Sequence, residues 1–358
     1  MSEQKDFLTE LDDLRKSTWE GFKFDRDAAL KDHERSSADK SGLSLKLLSV
    51  IGGIMAGISF SGFLGIAGLY NSGPAMLFSG LMFIAVAVML NKKYDLLVMD
   101  TFTISLFIIG YLQVAIGLND FNLRFTYVVF LFMAIAVITL MVNRNYMLSF
   151  LSFLILFGGF PAILLVEKHE DWIHLYNLLM VYLLLWVNLN EAAILSVGRR
   201  YAAYFLPLRI AIVIGLVVGL LSLLFIGLLN MQKQYVWLTS VATIGGIAYL
   251  VDRLRHVLGI TDLRGRIMIL AASLLILSPI VMAPAITGAL LIILVAFLVS
   301  HNTAFVIGII AFLYFIGQYY YDMEMTLLNK SFLMMATGAG FLVFHIVTRK
   351  KLLAHEKE

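Results

Sequence analysis

Long apolar stretches, separated by short polar connections, fill almost the whole chain after residue 42. A helix needs about 20 apolar residues to cross the hydrocarbon core of a bilayer. Twelve stretches qualify as candidate spans: 43–70, 74–90, 96–118, 125–142, 146–166, 172–195, 206–229, 235–251, 267–283, 284–300, 303–321 and 331–347. The sequence therefore predicts an all-α fold, a polytopic transmembrane bundle of about 12 spans.

The composition excludes several classes of protein. Hydrophobic residues make up 60% of the 358 residues and charged residues 14%, whereas soluble domains are roughly half apolar and a quarter charged. So little charge cannot cover a water-facing surface, which excludes a soluble globular enzyme and a disordered chain. The chain has no cysteine, which excludes disulfides, iron–sulfur clusters and thiolate zinc sites.

Residues 1–42 differ from the rest, because they hold 11 of the 24 acidic residues. Phe7, Leu8, Leu11, Leu14 and Phe22 recur at helical spacing and predict a short amphipathic helix, followed by a linker. The polar face of this helix carries both signs of charge, whereas a helix lying on lipid has a mostly basic one. We therefore expect it to dock on protein. Residues 43–347 then form the transmembrane domain and 348–358 a cytoplasmic tail.

The distribution of Lys and Arg predicts the orientation. If both termini are cytoplasmic, inside segments hold 23 of the 27, and the outside has only Arg124, Lys168, Lys233 and Lys330. The positive-inside rule therefore favours a multi-pass protein with both termini in the cytoplasm. The ninth and tenth spans are interrupted at Pro279 and Pro284, so a re-entrant hairpin there, with ten crossings and the same orientation, is the alternative.

Small residues mark places where helices can approach closely. The first span carries a ladder of them: Gly53, Gly57, Ser61 and Gly65. The ladder predicts a tight helix contact inside the fold, and a homodimer seam is the alternative.

The starts of the first and seventh spans resemble each other. Lys46, Gly52 and Ala56 align with Arg209, Gly215 and Gly219. A duplication into halves of six spans, 43–200 and 201–347, would explain the match. Ordinary helix packing explains much of it as well.

Ionisable and amide side chains inside apolar spans are candidates for function, because they are costly in lipid. The candidate pathway residues are Asp100, Gln113, Glu191 and Gln318. At Asp100, capping of the third span is the favoured interpretation. Glu191 is expected to pair with Arg199, Arg200 or Arg209, and the two glutamines to hydrogen-bond between helices.

Motifs for catalysis or cofactor binding are not found: there is no phosphate-binding loop, no nucleophile elbow and no His-Glu-x-x-His. His169 and His174 lie among acids in a loop that runs into the sixth span, but no third fixed ligand is evident. We interpret this segment as a solvated loop, and we expect no enzyme activity, no cofactor and no metal.

The most distinctive stretch begins with Tyr319, Tyr320, Tyr321 and Asp322 and ends near Lys330; it predicts an aromatic belt and a charged turn on the outer face. This tyrosine run, the Thr-Leu-Leu-Asn-Lys-Ser sequence at 326–331 and the glycines at 338 and 340 resemble the bacterial family called domain of unknown function 4401. The resemblance covers nearly the whole chain. It implies a bacterial inner-membrane protein and a membrane-anchored protein partner, and it supplies no functional residues.

Two functions remain open. A transporter-like or channel-like protein for a small or amphiphilic solute is favoured by twelve spans and broken helices. A non-catalytic subunit of a membrane protein complex is favoured by the scarcity of charge at mid-membrane depth. A cavity lined by Gln113 and Gln318 would distinguish them. The expected partners are the lipid bilayer and a protein, with no nucleic acid, and the oligomeric state stays open.

Overall fold

The computed structural model describes residues 43–68, 70, 72–93, 97–196, 198–224, 235–257, 266, 271, 273, 283–322, 328, 331 and 335. Within these ranges the chain forms eleven α-helices: α1 (Leu43–Ile66), α2 (Gly73–Lys93), α3 (Leu97–Asn119), α4 (Phe125–Val142), α5 (Tyr146–Val166), α6 (Ile173–Leu189), α7 (Glu191–Ser196), α8 (Arg199–Leu224), α9 (Val236–Val257), α10 (Pro284–Leu298) and α11 (Asn302–Asp322). A 3-10 turn, Glu170–Trp172, precedes α6. The described part of the chain has no strand, so the fold is all-α.

Six of the described helices, namely α2, α3, α4, α5, α8 and α11, contain a segment long and apolar enough to cross a membrane. Shorter apolar segments lie in α1, α6 and α10. Together they indicate a membrane protein. The predicted eighth span, α9, is not among the six, and it carries Thr239, Ser240 and Thr243, which are buried inside the protein rather than turned to lipid.

Four predicted spans differ from the structure by more than three residues at a boundary. The first ends at Ile66 instead of residue 70, and Gly68 has a φ of 82°, which ends the helical geometry. The sixth is divided: α6 ends at Leu189, and α7 begins at Glu191. The seventh begins at Arg199 instead of residue 206. The eighth, α9, continues to Val257 instead of ending at residue 251. The predicted amphipathic helix, most of the ninth and twelfth spans and the C-terminal tail lie outside the described residues.

Two hydrophobic cores hold the described helices together. The first consists of buried residues of α2 and α3, among them Phe83 and Phe107, with Leu148 of α5. The second joins α6, α8, α9, α10 and α11 around residues such as Tyr176 and Leu220. Because α5 packs on both α4 and α8, it connects the two cores.

At the α2–α3 contact, backbone meets backbone at two pairs of glycines. A Cβ atom added to Gly80 would lie 2.7 Å from the Gly110 carbonyl oxygen. One added to Gly117 would lie 2.8 Å from the Gly73 carbonyl oxygen. Only glycine allows this approach, since any side chain would separate the two helices.

The small-residue ladder of α1 faces α3 and the connection that follows α1. A Cβ atom on Gly53 would lie 2.8 Å from Thr101 Cγ2, and one on Gly57 would lie 2.8 Å from Ile109 Cδ1. Further along, the Ser61 hydroxyl is 2.7 Å from that of Tyr70. Gly65 lies against the ring of the same tyrosine. The contacts of the ladder are therefore made within the chain.

The connections between helices gather at two ends of the bundle. At one, which we call the Asn143 end, the Tyr204 hydroxyl donates to the Asn143 carbonyl at 3.2 Å. At the other, the Glu167 end, the Thr126 hydroxyl donates to the Glu167 carboxylate. The end of α2 and the start of α3 also belong to the Asn143 end, since Asn91 and Asp100 accept hydrogen bonds from Asn143 and Asn145.

Candidate functional site

Asp100 is held by asparagines at the Asn143 end. Its Oδ1 accepts hydrogen bonds from Asn91 Nδ2 at 2.7 Å and from Asn145 Nδ2 at 3.2 Å. Asn143 Nδ2 in turn donates to Asn91 Oδ1 at 3.0 Å. The network joins α2, α3 and the connection between α4 and α5. Asp100 thus acts as a structural acceptor, while Lys92, one residue after Asn91, is exposed.

Gln113 connects the first three helices. Its Nε2 donates to the Tyr70 hydroxyl at 2.5 Å and to Ser61 Oγ at 3.3 Å, and its Oε1 accepts from Ser79 Oγ at 3.0 Å. Both ends of the amide are engaged by the protein. Gln113 therefore stabilises the contact between these helices by hydrogen bonds, a common role of amides in membrane bundles.

The C-terminal candidates lie on α11. Gln318, Tyr319 and Tyr320 are partly buried, whereas Tyr321 is 78% exposed. Asp322 ends the helix, and its side chain and Lys330 are outside the described residues. The structure does not bring Gln113 and Gln318 to a common described cavity.

Gly215 and Gly219 of α8 face α6. A Cβ atom on Gly215 would lie 3.1 Å from the Tyr176 hydroxyl, and one on Gly219 would collide with the Asn177 side chain. The Tyr176 hydroxyl donates to the Gly215 carbonyl at 3.1 Å. The two glycines therefore let α8 approach the polar side chains of α6.

Arg209 is the one Lys, Arg, Asp or Glu that is buried among the residues whose exposure the structure describes, at 3% exposure. Its Nε donates to Asn188 Oδ1 at 2.6 Å, and its Nη1 lies 3.7 Å from Glu191 Oε2. The Cζ atom lies 5.7 Å from the centre of the Phe205 ring, within cation–π range. Asn188, Glu191 and Arg209 form what we call the Arg209 patch.

The guanidinium of Arg209 retains unused donors. It has five N–H groups, and its buried Nη2 has no hydrogen-bond partner among the described residues. The Glu191 carboxylate is 42% exposed and only loosely paired with Nη1. A buried cation with unsatisfied donors is costly. Such a group is typical of a site that receives an anionic oxygen, because guanidinium groups bind carboxylate and phosphate in bidentate fashion.

A second buried polar group, the His174 patch, lies toward the Glu167 end and was not predicted. It consists of His174, Asn177, Thr239, Thr243 and Thr287, all at 0% exposure. His174 Nδ1 is 2.9 Å from Thr239 Oγ1, and the hydroxyls of Thr243 and Thr287 are 2.8 Å apart. Within the described part of the chain, His174 Nε2 and Asn177 Oδ1 have no partner.

The solvated-loop interpretation of the segment around His174 is therefore wrong for His174 itself. The residue is the second of α6, which starts at Ile173, and it is fully buried in the bundle instead of exposed to water. Among the described residues, no three His, Cys, Asp or Glu side chains are grouped so that they could hold a metal ion.

Each patch reaches the seam between α6 and α8 through one asparagine of α6: Asn188, which accepts a hydrogen bond from Arg209, and Asn177, which donates to the Gly219 carbonyl at 3.1 Å. The three threonines of the His174 patch belong to α9 and α10. Asn177 and Asn188 are 11 residues apart, which is about 16 Å along a helix. Between them the seam is apolar, since Met180 and Leu184 of α6 and Leu216 of α8 are almost fully buried. The seam between α6 and α8 therefore has a polar group near each of its ends and an apolar segment between them.

The family comparison agrees with the C-terminal motif. A family model described as "Domain of unknown function (DUF4401)" matches residues 43–351. No curated protein and no solved structure matches the chain. Since the match covers most of the chain, the chain belongs to the DUF4401 family.

Proposed function

We propose that this protein is a transporter-like or channel-like protein, without catalytic activity, that moves a small anionic or amphiphilic solute along the α6–α8 seam. The observation that carries the proposal is the buried guanidinium of Arg209 with unused donors. Buried ionisable residues in membrane bundles usually mark solute or ion pathways. Because the guanidinium of Arg209 is positively charged, the ligand that we propose for it carries an anionic group.

The distribution of polar groups along the seam supports a path rather than a single site. Each patch has unsatisfied polar atoms that a solute or water could occupy: Arg209 Nη2 in one, His174 Nε2 and Asn177 Oδ1 in the other. The apolar segment around Met180 and Leu184 is suited to act as a closed barrier, since narrow hydrophobic constrictions in pores exclude water.

We also propose that the chain crosses the bacterial inner membrane twelve times, with both termini in the cytoplasm. The Asn143 end would then be the cytoplasmic one. Lys92, Arg144 and Arg253 belong to that end, and Arg124 and Lys168 to the Glu167 end, which follows the charge bias that the positive-inside rule requires.

The absence of cysteine from the sequence allows a direct test by cysteine accessibility. Single cysteines would be introduced by Asn188→Cys, Thr239→Cys and Leu184→Cys, with Leu313→Cys as a control, because Leu313 is 64% exposed at the middle of α11. Each variant is treated with a membrane-impermeant thiol reagent from one side at a time. We expect Asn188→Cys and Thr239→Cys to react from opposite sides, Leu184→Cys slowly and Leu313→Cys not at all.

If neither patch reacts from either side, the seam is closed to water and the transport proposal is rejected.

The charge preference of the proposed path is measured on proteoliposomes that contain the full chain. Chloride and phosphate entry should exceed potassium entry, and Arg209→Gln should abolish the difference while Arg144→Gln, at an exposed loop arginine, leaves it unchanged.

One observation favours the rival function, a non-catalytic subunit of a membrane protein complex. Gln113, the most interior polar candidate of the first three helices, has its whole amide engaged by Ser61, Tyr70 and Ser79. The first three helices therefore offer no described polar path. This rival would be favoured if neither patch reacts with the thiol reagent and a membrane-anchored protein co-purifies with the chain.

A further inference from the structure

A groove opens between α6 and α9 toward the Asn143 end. Its volume is about 290 Å³, close to the lower limit of roughly 300 Å³ for small-molecule sites. The lining residues are Tyr182, Leu185, Trp186, Leu189, Asn190 and Tyr249. We call it the α6–α9 groove. It lies apart from the Arg209 patch, because these α6 residues are on the side facing α9 and the surface.

Three aromatic side chains form the walls of the groove and remain half exposed: Tyr182, Trp186 and Tyr249. Tyrosine and tryptophan are favoured at the level of lipid headgroups, because their rings are apolar and their O–H and N–H groups polar. Leu185 and Leu189 are partly buried behind them. The groove thus offers an apolar, aromatic surface near the end of two helices.

The side chain of an arginine lies at the end of the groove. Arg253 follows Tyr249 by one helical turn on α9 and is exposed. Its Nη2 donates to the Leu189 carbonyl oxygen, a residue of the groove, at 3.4 Å. No carboxylate among the described residues pairs with Arg253, since the neighbouring Asp252 is bound by Arg266 at 3.1 Å. Arg253 is therefore an exposed cation, and its five N–H donors make one described hydrogen bond.

We propose that the α6–α9 groove binds an anionic phospholipid, with an acyl chain against Tyr182, Trp186 and Tyr249 and the phosphate on Arg253. Basic groups beside clefts between transmembrane helices are the usual binding places for anionic headgroups. A partner helix fits the groove less well, because close helix contacts in membranes need small residues. The lining contains no glycine, alanine, serine or threonine.

The test uses the fluorescence of Trp186, one of four tryptophans, in the full chain reconstituted into vesicles. Phosphatidylcholine vesicles receive increasing fractions of phosphatidylglycerol with brominated chains, which quench tryptophan on contact. A matched series receives brominated phosphatidylcholine. The parent should be quenched more strongly by phosphatidylglycerol, and Trp186→Phe should lose this additional quenching.

Two arginine variants locate the headgroup. We expect Arg253→Gln to weaken the apparent affinity for phosphatidylglycerol about fivefold, the effect of one basic residue at an anionic surface. Arg253→Lys should retain most of it. Arg144→Gln removes an exposed charge at the same end, away from the groove, and should change nothing.

Equal quenching of the parent by the two lipids would overturn the proposal, and this comparison needs no variant to fold. An equal loss in Arg144→Gln and Arg253→Gln would also overturn it, since the effect would then be general surface charge. If neither lipid reaches Trp186, protein covers the groove, and a docked helix replaces the lipid.

Discussion

His301 precedes α11 and is influenced by the charges of the Arg209 patch. It lies in the connection between α10 and α11, and its Nδ1 accepts a hydrogen bond from the Ala304 backbone N–H at 3.1 Å. This is the bond of a helix N-cap, which satisfies one of the free N–H groups of the first turn. Only a neutral imidazole can accept it, because both ring nitrogens of a protonated histidine are donors.

The surroundings of His301 favour the neutral form of the ring. Burial lowers the pKa of His301 below its ordinary value of 6.5, and the positive charge of Arg209 lowers it further. Its own backbone and the Glu191 carboxylate act in the opposite direction, with smaller effects. Because the pKa is lower in the folded state, the unfolded chain takes up the proton first. Stability is therefore lost as the pH falls through the ordinary histidine range.

A variant without this titration should resist acid better. We expect the melting temperature of the parent to fall between pH 7 and pH 5, and that of His301→Asn to fall less, since asparagine caps a helix without titrating in this range. The measurement is thermal unfolding in detergent at both pH values. Parallel losses in the two proteins would mean that other groups determine the acid sensitivity.

At the scale of helices, the α2–α3 contact is the place where a single methyl group should matter most. Gly80→Ala places a Cβ atom 2.7 Å from the Gly110 carbonyl oxygen, and the backbone cannot yield as a flexible side chain would. Overpacking of this kind costs roughly 1–3 kcal/mol. We therefore expect a clearly lower melting temperature in detergent for Gly80→Ala.

The matched control is Gly158→Ala on α5. A Cβ atom there has nothing within 4 Å, and alanine is favoured over glycine in helices by up to about 1 kcal/mol. This variant should melt at the temperature of the parent or above it. If Gly80→Ala melts like Gly158→Ala, the two backbones are farther apart than the structure places them.

Apolar length alone was enough to predict several helices. The bounds predicted for the fourth and fifth spans, 125–142 and 146–166, are those of α4 and α5. Both are among the most apolar helices, and polar residues from Asn143 to Asn145 separate them. Asn145 accepts a hydrogen bond from the Met147 N–H, which fixes the start of α5. Where polar residues enter a helix, as in the first turns of α8, the same reasoning placed the boundary too late.

The polar patches could be predicted only in part. Pairing of Glu191 with Arg209 was one of three options, because all three arginines follow Glu191 within 18 residues. The His174–Thr239 contact joins residues 65 apart on helices that nothing in one sequence assigns to each other. The glycine pairs of α2 and α3 were also missed. On each of the two helices the glycines are seven residues apart, and the partner of each glycine lies on the other helix.

For the whole molecule, the orientation in the membrane is the property that determines what each patch can meet. We predict that both termini are cytoplasmic, from the 23 to 4 distribution of Lys and Arg. A green fluorescent protein fused after Glu358 should be fluorescent, and an alkaline phosphatase fused at the same place should be inactive. The converse result for the pair would reject the topology.

The same fusions placed between α4 and α5 and between α5 and α6 extend this test to single helices. Fusions after Arg144 should behave like those at the C-terminus, whereas fusions after Lys168 should show active phosphatase. Two neighbouring sites with the same behaviour would mean that α5 does not cross.

The two hydrophobic cores have a consequence for biogenesis. All the buried members of the first core lie between Phe83 and Leu148, and those of the second begin only at Ile173. Proteins are made from the N-terminus and their units fold as they emerge. The first core can therefore close in the bilayer before the helices that follow α6 have been synthesised. Until α8 is inserted, the face of α5 that it will cover remains open to lipid. Translation that stops between Leu148 and Ile173 would therefore give a fragment whose first core is packed but whose α5 lacks its contact with α8.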